Sequence, residues 1–317
     1  MGHLTDADWM AAALALSERG RGRTAPNPNV GCVIVAQGRV IGRGWTQPGG
    51  RPHAEAMALE QAGDNARGAT VYVTLEPCAH ASPRGPACAD LLVAAGVARV
   101  VVALGDPDPR TDGAGLAQLR EAGIQVSHGV LEGRSRQAMA GFLTRRSKAR
   151  PHVTLKLATS LDGRIALESG ESKWITGPQA RAHAHLERAR HEAILVGRGT
   201  WDADAPTLDV RLAGLEARSP RRLVLSADGD LRTPTDIASL ANVDHVLVEG
   251  GAEAAASFLR AGLVDRLLLY RAPILIGAGK AALGDIGLDR LADAQGRWQL
   301  TDARQLGSDR LEVYAAR

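Results

Sequence analysis

The chain has 317 residues, 45% of them hydrophobic, which argues against a disordered chain and leaves room for two separate cores. The net charge is +3 with a pI near 9.0, and aromatic residues make up only 3%. That balance argues against a nucleic-acid partner, whose groove interleaves basic residues with aromatics. No apolar run approaches membrane-spanning length, so no membrane partner is expected either.

Residues 5–20 read as an opening helix. Its acids and amphipathic pattern do not suit a signal peptide, so a cytoplasmic protein is expected. Thr24-Ala25-Pro26-Asn27-Pro28 is a rigid loop before a strand at about 30–36, and Gln37-Gly38 turns the chain into a return strand from Arg39 to Trp45. Cys32 lies in that first buried strand and reads as a small core hydrophobe. After the loop Pro48 to Pro52, a helix runs from His53 to Ala62 and is closed by Gly63. A strand at 69–75 leads to a cysteine-bearing segment, then a helix from Cys88 to Ala95 and a strand from Val100 to Leu104. The loop Gly105 to Pro109, a helix near 113–122 and a strand at 124–128 follow. This alternation predicts an α/β sandwich.

The polar stretch TRRSKARP at 144–151 marks the expected boundary between domains 1–146 and 147–317. The pattern then restarts, with strands at 152–160, 192–197, 221–226, 245–249 and 265–273, and helices at 178–190 and 252–261. Short strands near 298–303 and 310–316 read as a closing hairpin of a second α/β domain.

Three cysteines are too few for a disulfide scaffold, and two stand in a different context. Pro52-His53-Ala54-Glu55 is followed by Glu76-Pro77-Cys78 and by Cys88. One imidazole and two thiols suit a single catalytic zinc with an open position, and the order is that of zinc-dependent base deaminases. Cysteines near a helix N-terminus favour the thiolate. Zinc held by two thiolates is a weaker Lewis acid than zinc held by three histidines, so a nearby base is needed, and Glu55 is placed for it. A zinc that only staples loops would need a fourth protein ligand, which His80 offers; otherwise His80 is exposed or lies behind the ligands. Nine residues separate the cysteines, where most zinc deaminases have two, which suggests a loop dedicated to one substrate. Arg84 within it is a solvated charge or a phosphate contact. Nearly all the positive charge of the chain is arginine, whose fork suits a phosphorylated ligand.

The strings TAPNPNVGCVIV, PHAEAMAL, VTLEPCAH and LGDPDPR resemble the deaminase half of the bifunctional riboflavin-biosynthesis family. LKLATSLDGRIA, GESKWITGPQAR, Asp202-Ala203-Asp204-Ala205-Pro206 and LVEGG are similar to its reductase half. The resemblance covers nearly the whole chain. It implies a cytidine-deaminase-like α/β/α domain followed by a dihydrofolate-reductase-like α/β domain. It also implies zinc-dependent deamination of a phosphoribosylated diaminopyrimidinone, then NADPH-dependent reduction of the ribosyl group to ribityl. A homo-oligomer formed through the reductase domain is expected.

By the same resemblance, His53, Cys78 and Cys88 bind zinc, Glu55 is the proton donor, and Asn27 contacts substrate beside the ring. Ser172, Arg188, Leu208, Arg211 and Glu249 match substrate positions, with Arg188 and Arg211 as a phosphate clamp. Ala158, Trp174, Thr200 and Asp204 match cofactor positions, as does the run Gly251, Ala252, Glu253, Ala254, Ala255, Ala256 and Ser257. Lys156 is a further candidate for catalysis near the ribose. Gly250-Gly251 between a strand and a helix suits a cofactor phosphate or an ordinary turn, Trp174 either covers the nicotinamide or packs, and His183, His185 and His191 read as solvated or capping.

Two features depart from the family. The cysteine loop is one residue longer, and the segment from Ser226 to His245 is short where relatives carry another strand and helix. The second leaves open a monofunctional deaminase whose degenerate reductase domain serves dimerisation. A nucleic-acid-editing deaminase would need a basic, aromatic surface that the sequence lacks.

Overall fold

Thr5 starts the first helix through a reciprocal cap: the Asp8 N–H donates to the Thr5 hydroxyl at 3.3 Å, and the Thr5 N–H donates to the Asp8 carboxylate at 2.8 Å. The computed structural model describes residues 4–80 and 82–317. Two units are formed, Met1–Lys148 and Ala149–Arg317. Ala81 of the cysteine loop lies outside the described residues.

In the first unit the order is α1 (Asp6–Ser17), β1 (Gly31–Ala36), β2 (Arg39–Trp45), α2 (Ala54–Ala62), β3 (Thr70–Val73), α3 (Cys88–Ala95), β4 (Arg99–Val102), α4 (Ala114–Glu121), β5 (Gln125–His128), α5 (Glu132–Ala138) and α6 (Ala140–Lys148). The sheet runs β2-β1-β3-β4-β5, with β1 antiparallel to both neighbours and β3, β4 and β5 parallel. Period-two alternation divides β1 between two cores. Cys32 and Ile34 join Ala54 and Ala58 of α2 and Leu92 of α3, while Val33 and Val35 join Met10, Ala13 and Leu14 of α1. Gly44 on β2 lets α2 approach closely, since a Cβ there would lie 1.9 Å from the Ala54 carbonyl oxygen. That contact fixes the helix whose first turn carries Glu55.

Within the expected boundary stretch 144–151, residues 144–148 form the last turn of α6, and the two units divide after Lys148. Phe142 and Met139 are buried in the same core as α2 and α3, and Arg145, Arg146 and Lys148 suit the negative end of the helix dipole.

The second unit contains β6 (His152–Thr159), β7 (Arg164–Ala166), α7 (Pro178–Arg188), β8 (Ala193–Gly197), α8 (Arg198–Asp204), β9 (Arg221–Leu225), β10 (His245–Glu249), α9 (Ala252–Arg260), β11 (Arg266–Arg271), β12 (Lys280–Ala281), β13 (Trp298–Leu306) and β14 (Asp309–Ala316). Its main sheet has the order β13-β14-β11-β6-β10-β8-β9, and β7 pairs with β12 apart from it. The five strands from β11 to β9 are parallel, and β14 and β13 add an antiparallel edge. Such a sheet gathers ligands outside the carboxyl ends of its strands. Here those ends are Thr159, Gly197 and Glu249.

The short connection after β9 still covers the sheet. Thr233 and Asp236 cap a 3₁₀ turn, Pro234–Ser239, and Leu231, Ile237, Leu240 and Val243 are buried in the core of the unit. Among the described residues, no helix is long and apolar enough to cross a membrane.

Candidate functional site

His53 is the N-cap residue of α2, and Cys88 is the first residue of α3. The Cys88 N–H donates to Cys78 Sγ at 3.3 Å, so the N-terminal end of α3 faces that sulfur. His53 Nδ1 lies 3.3 Å from Cys88 Sγ and 3.7 Å from Cys78 Sγ, and the three donor atoms are all within 4.8 Å of one another. A tetrahedral zinc with ordinary Zn–N and Zn–S bonds places its nitrogen and sulfur ligands about 3.5 Å apart, so these residues fit the ion. Among the described residues the donor group holds only these three, and His80 is not part of it. A loop-stapling zinc would therefore lack its fourth protein ligand.

The thiols are unequal. The Cys88 side chain donates to Cys78 and pulls its thiol well down, against burial and with help from His53; the same contact and burial push Cys88 up. Metal binding removes the remaining proton. Behind the ring, the Asn27 amide nitrogen lies 3.1 Å from His53 Nε2 and 3.1 Å from the Gly50 carbonyl oxygen. Asn27, expected to contact substrate, orients the imidazole. Glu55 is 3% exposed. Burial pushes its carboxyl up to about 7, against the pull of His53, and a bound cation would add to that pull.

The site lies in a pocket of about 200 Å³ lined by Asn27, His53, Glu55, Cys78 and His80 among others. Glu76, singled out only as part of the cysteine motif, ties the pocket together. Its carboxylate accepts the N–H groups of Asp106 at 3.2 Å, Gly113 at 3.1 Å and Leu116 at 3.2 Å. His80 Nδ1 is 3.4 Å from the Thr111 hydroxyl. Arg84 is exposed, and its Nη2 donates to the Gly49 carbonyl oxygen at 2.6 Å, strapping two loops at the rim. Cys32 is fully buried in the core.

In the second unit, Lys156, Arg188 and Glu249 come together. Arg188 donates through Nε and Nη2 to the two Glu249 oxygens at 2.7 and 2.9 Å, and through Nη1 to the Asp209 carbonyl oxygen at 2.9 Å. Lys156 Nζ is 3.6 Å from Glu249. Burial raises the Glu249 carboxyl, but Lys156 and Arg188 outweigh it and hold it at about 2. Arg188, expected to clamp a phosphate, is thus committed to a buried carboxylate. Arg211 is 57% exposed and 3.4 Å from Asp209, and Leu208 is buried nearby.

Thr200 sits against the Gly250-Gly251 turn, where a Cβ on Gly251 would lie 2.9 Å from the Thr200 hydroxyl. Gly251 has φ of 69°, which favours glycine. The first turn of α9 leaves unpaired N–H groups that fit a cofactor phosphate. Ala254, Ala255 and Ala256, expected in the cofactor run, are buried side chains, and Ser257 Oγ donates back to the Ala254 carbonyl oxygen at 2.8 Å. Trp174 is 64% exposed beneath the Arg181 guanidinium. Asp204 pairs with Lys173 at 3.6 Å, Ser172 is half-buried and Ala158 lies on β6.

Of the three histidines expected to be solvated or capping, His183 and His185 on α7 are half-buried, and His191, just beyond the helix, caps it. His183 Nδ1 is 2.7 Å from the Tyr270 hydroxyl, and His185 Nδ1 lies 3.1 Å from the Asp209 carbonyl oxygen and 3.2 Å from the Arg211 main-chain nitrogen. His191 is buried between the Glu187 carbonyl oxygen and the Thr154 hydroxyl.

Residues 4–104 match the cytidine and deoxycytidylate deaminase zinc-binding region, and residues 151–241 and 237–311 match the RibD C-terminal domain. The riboflavin biosynthesis protein RibD of Escherichia coli is 41% identical, covering 96% of this chain and 98% of the relative. The chain belongs to the RibD family. The RibD of Aquifex aeolicus is 37% identical, covering 91% of this chain and 92% of the relative. The solved structure of Acinetobacter baumannii RibD superposes with a TM-score of 0.84 at 38% identity, covering 98% and 99% of the two chains. A diaminohydroxyphosphoribosylaminopyrimidine deaminase/5-amino-6-(5-phosphoribosylamino)uracil reductase from Thermotoga maritima gives 0.87 at 31% identity with the same coverage.

Like RibD, the chain is a deaminase and a reductase of riboflavin biosynthesis, with zinc and NADPH as cofactors. The alternative of a lone deaminase with a degenerate second domain does not hold, because the reductase model matches on both sides of the short connection. The two matched stretches meet at 237–241, inside that connection.

Proposed function

We propose that the first unit deaminates 2,5-diamino-6-(5-phosphoribosylamino)pyrimidin-4(3H)-one, and that the second reduces the ribosyl group of 5-amino-6-(5-phosphoribosylamino)uracil to ribityl. The observation that carries this reading is the His53, Cys78 and Cys88 donor set beside the buried Glu55 carboxyl. These three side chains hold one zinc ion, which when bound supplies Lewis acidity toward a water molecule. Glu55 takes the proton of the attacking water, passes it to the ring nitrogen, and returns a proton to the departing ammonia. Asn27 keeps the imidazole oriented and faces the pyrimidine.

In the second unit, NADPH supplies a hydride to the ribosyl group. Thr200, Asp204, Trp174, Ala158 and the turn at Gly251 to Glu253 hold the cofactor. Glu249 fixes the Arg188 guanidinium and the Lys156 ammonium at the carboxyl ends of β6 and β10, with Lys156 placed to act at the ribose. Ser172, Leu208 and Arg211 complete the substrate side.

We also assign the chain to the cytoplasm, on the support of three free, buried thiols that suit a reducing compartment. Pairing of copies through the second unit is supported by exposed apolar residues there, Leu161, Ile274 and Leu275.

Product analysis tests the assignment. The diaminopyrimidinone substrate alone should give the ribosylaminouracil phosphate and ammonia, and added NADPH should carry it to the ribityl compound. Ammonia release without any NADPH oxidation would remove the second half of the reading.

A further inference from the structure

The deaminase family match ends at residue 104 and the RibD C-terminal match begins at 151. The pocket around the donor set is nevertheless completed by residues between them, including Asp106, Asp108, Arg110, Phe142 and Arg146. The deamination chemistry uses none of these. They form a wall of the pocket that the shared zinc core does not supply.

Asp108 organises that wall. Its carboxylate is 6% exposed and accepts Arg110 Nε at 2.9 Å and Nη2 at 2.5 Å, together with Arg146 Nη2 at 2.9 Å and the Arg110 N–H at 3.1 Å. The Arg110 hydrogen bonds hold this carboxyl well below the usual carboxylate range, so it stays charged. The Arg146 guanidinium also lies over the buried Phe142 ring, 5.4 Å from its centre. The Asp108 carboxylate is shared between two guanidiniums, and each fork keeps N–H groups that Asp108 does not use. Arg110 is 61% and Arg146 40% exposed, so those groups are open to a ligand. Arg51 and Arg84, on the same pocket, are engaged elsewhere. Each donates across the rim to a main-chain carbonyl, Arg51 to that of Pro86 at 3.4 Å and Arg84 to that of Gly49 at 2.6 Å.

We propose that Arg110 and Arg146, oriented by Asp108, bind the phosphate of the substrate in the deaminase pocket. Planar guanidinium forks match phosphate oxygens, and a shared carboxylate sets both forks before the ligand arrives. The proposal rests on reading the first unit as the deaminase of a phosphoribosylated pyrimidine. It assigns Asp108 as a positioning residue and Arg110 and Arg146 as the residues that select a phosphorylated substrate.

The test compares deamination of the phosphorylated substrate with that of its dephosphorylated analogue. Arg110→Ala and Arg146→Ala should each raise KM for the phosphorylated compound on the order of ten- to hundred-fold, the worth of a hydrogen bond to a charged group. For the analogue KM should change less than about three-fold, with kcat and zinc content kept. Asp108→Asn should show the same split more weakly, and Arg146→Lys should recover part of the loss. Equal losses for both compounds would mean a structural wall and would overturn the proposal. So would a phosphate preference that survives in both variants but disappears in Arg84→Ala. Calorimetry with inorganic phosphate decides the subsite independently of turnover. Binding should weaken in both variants, and unchanged binding contradicts the proposal. A wild type that deaminates neither compound would contradict the deaminase reading alone.

Discussion

In the first unit the functional side chains come from a loop and two helix starts and converge on one small volume, where His53, Cys78 and Cys88 are complete only when a cation joins them. In the second, Lys156, Arg188 and Glu249 come from two strands and a helix and complete one another with no added group. The first arrangement announces its ligand through donor type. The second pairs two cations with one buried carboxylate inside the protein, so its ligand must be read from what that pairing leaves over. Loss of a single member should therefore have different consequences in the two units.

The largest effect is expected at Glu55. Glu55→Gln should lower deamination kcat by about 10²–10⁴-fold, the usual worth of a positioned acid–base group, with zinc retained and NADPH oxidation on the aminouracil substrate intact. Normal deamination in this variant would remove the proton-shuttle role, and loss of both activities would show that the two units are not functionally separable.

Glu249→Gln should destabilise instead of merely slowing. It leaves Arg188 and Lys156 without a buried counter-charge, at a cost of about 3–5 kcal/mol at neutral pH. Linkage gives the sign of the pH dependence. The folded-state value of about 2 lies below the ordinary 4.5, so the wild-type stabilisation is present above 4.5 and lost as pH falls toward 2. Urea unfolding at pH 7 and at pH 3 should show the gap between wild type and variant narrowing in acid. A gap that does not change with pH would mean that Glu249 acts through packing.

A smaller effect is expected at Asn27, which touches the ring that carries the metal-binding nitrogen. Asn27→Ala should weaken zinc affinity by about 10–100-fold, as loss of a partner behind a ligand does. Chelator competition measures this directly, and an unchanged affinity would confine Asn27 to the substrate side.

The contrast also explains what can be read from the sequence. Soft ligands are few, and two of three cysteines near one Pro-His-Ala-Glu string can hardly serve anything but a metal. The strands are legible because parallel strands covered on both faces are continuous apolar runs, as in Val246, Leu247 and Val248 of β10. Helix α6 is hidden because its last turn is arginine- and lysine-rich and reads as the polar stretch between domains, although Phe142 and the preceding Met139 anchor its start. The commitment of Arg188 has no local signal, since its partner lies 61 residues away. The burial of Ala254, Ala255 and Ala256 has no periodic signal, because three consecutive helix residues point in three directions and all three are covered here. The Asp108 network is invisible in the sequence because Gly105 to Pro109 reads as a plain loop and Arg146 follows Asp108 by 38 residues.

Zinc content per chain tests the central claim most directly. Metal analysis of the purified protein, dialysed to remove loosely held ions, should give one zinc per chain in the wild type and in Glu55→Gln, and a large loss in Cys78→Ser. Absence of zinc from the wild type, or undiminished zinc in Cys78→Ser, would contradict the account.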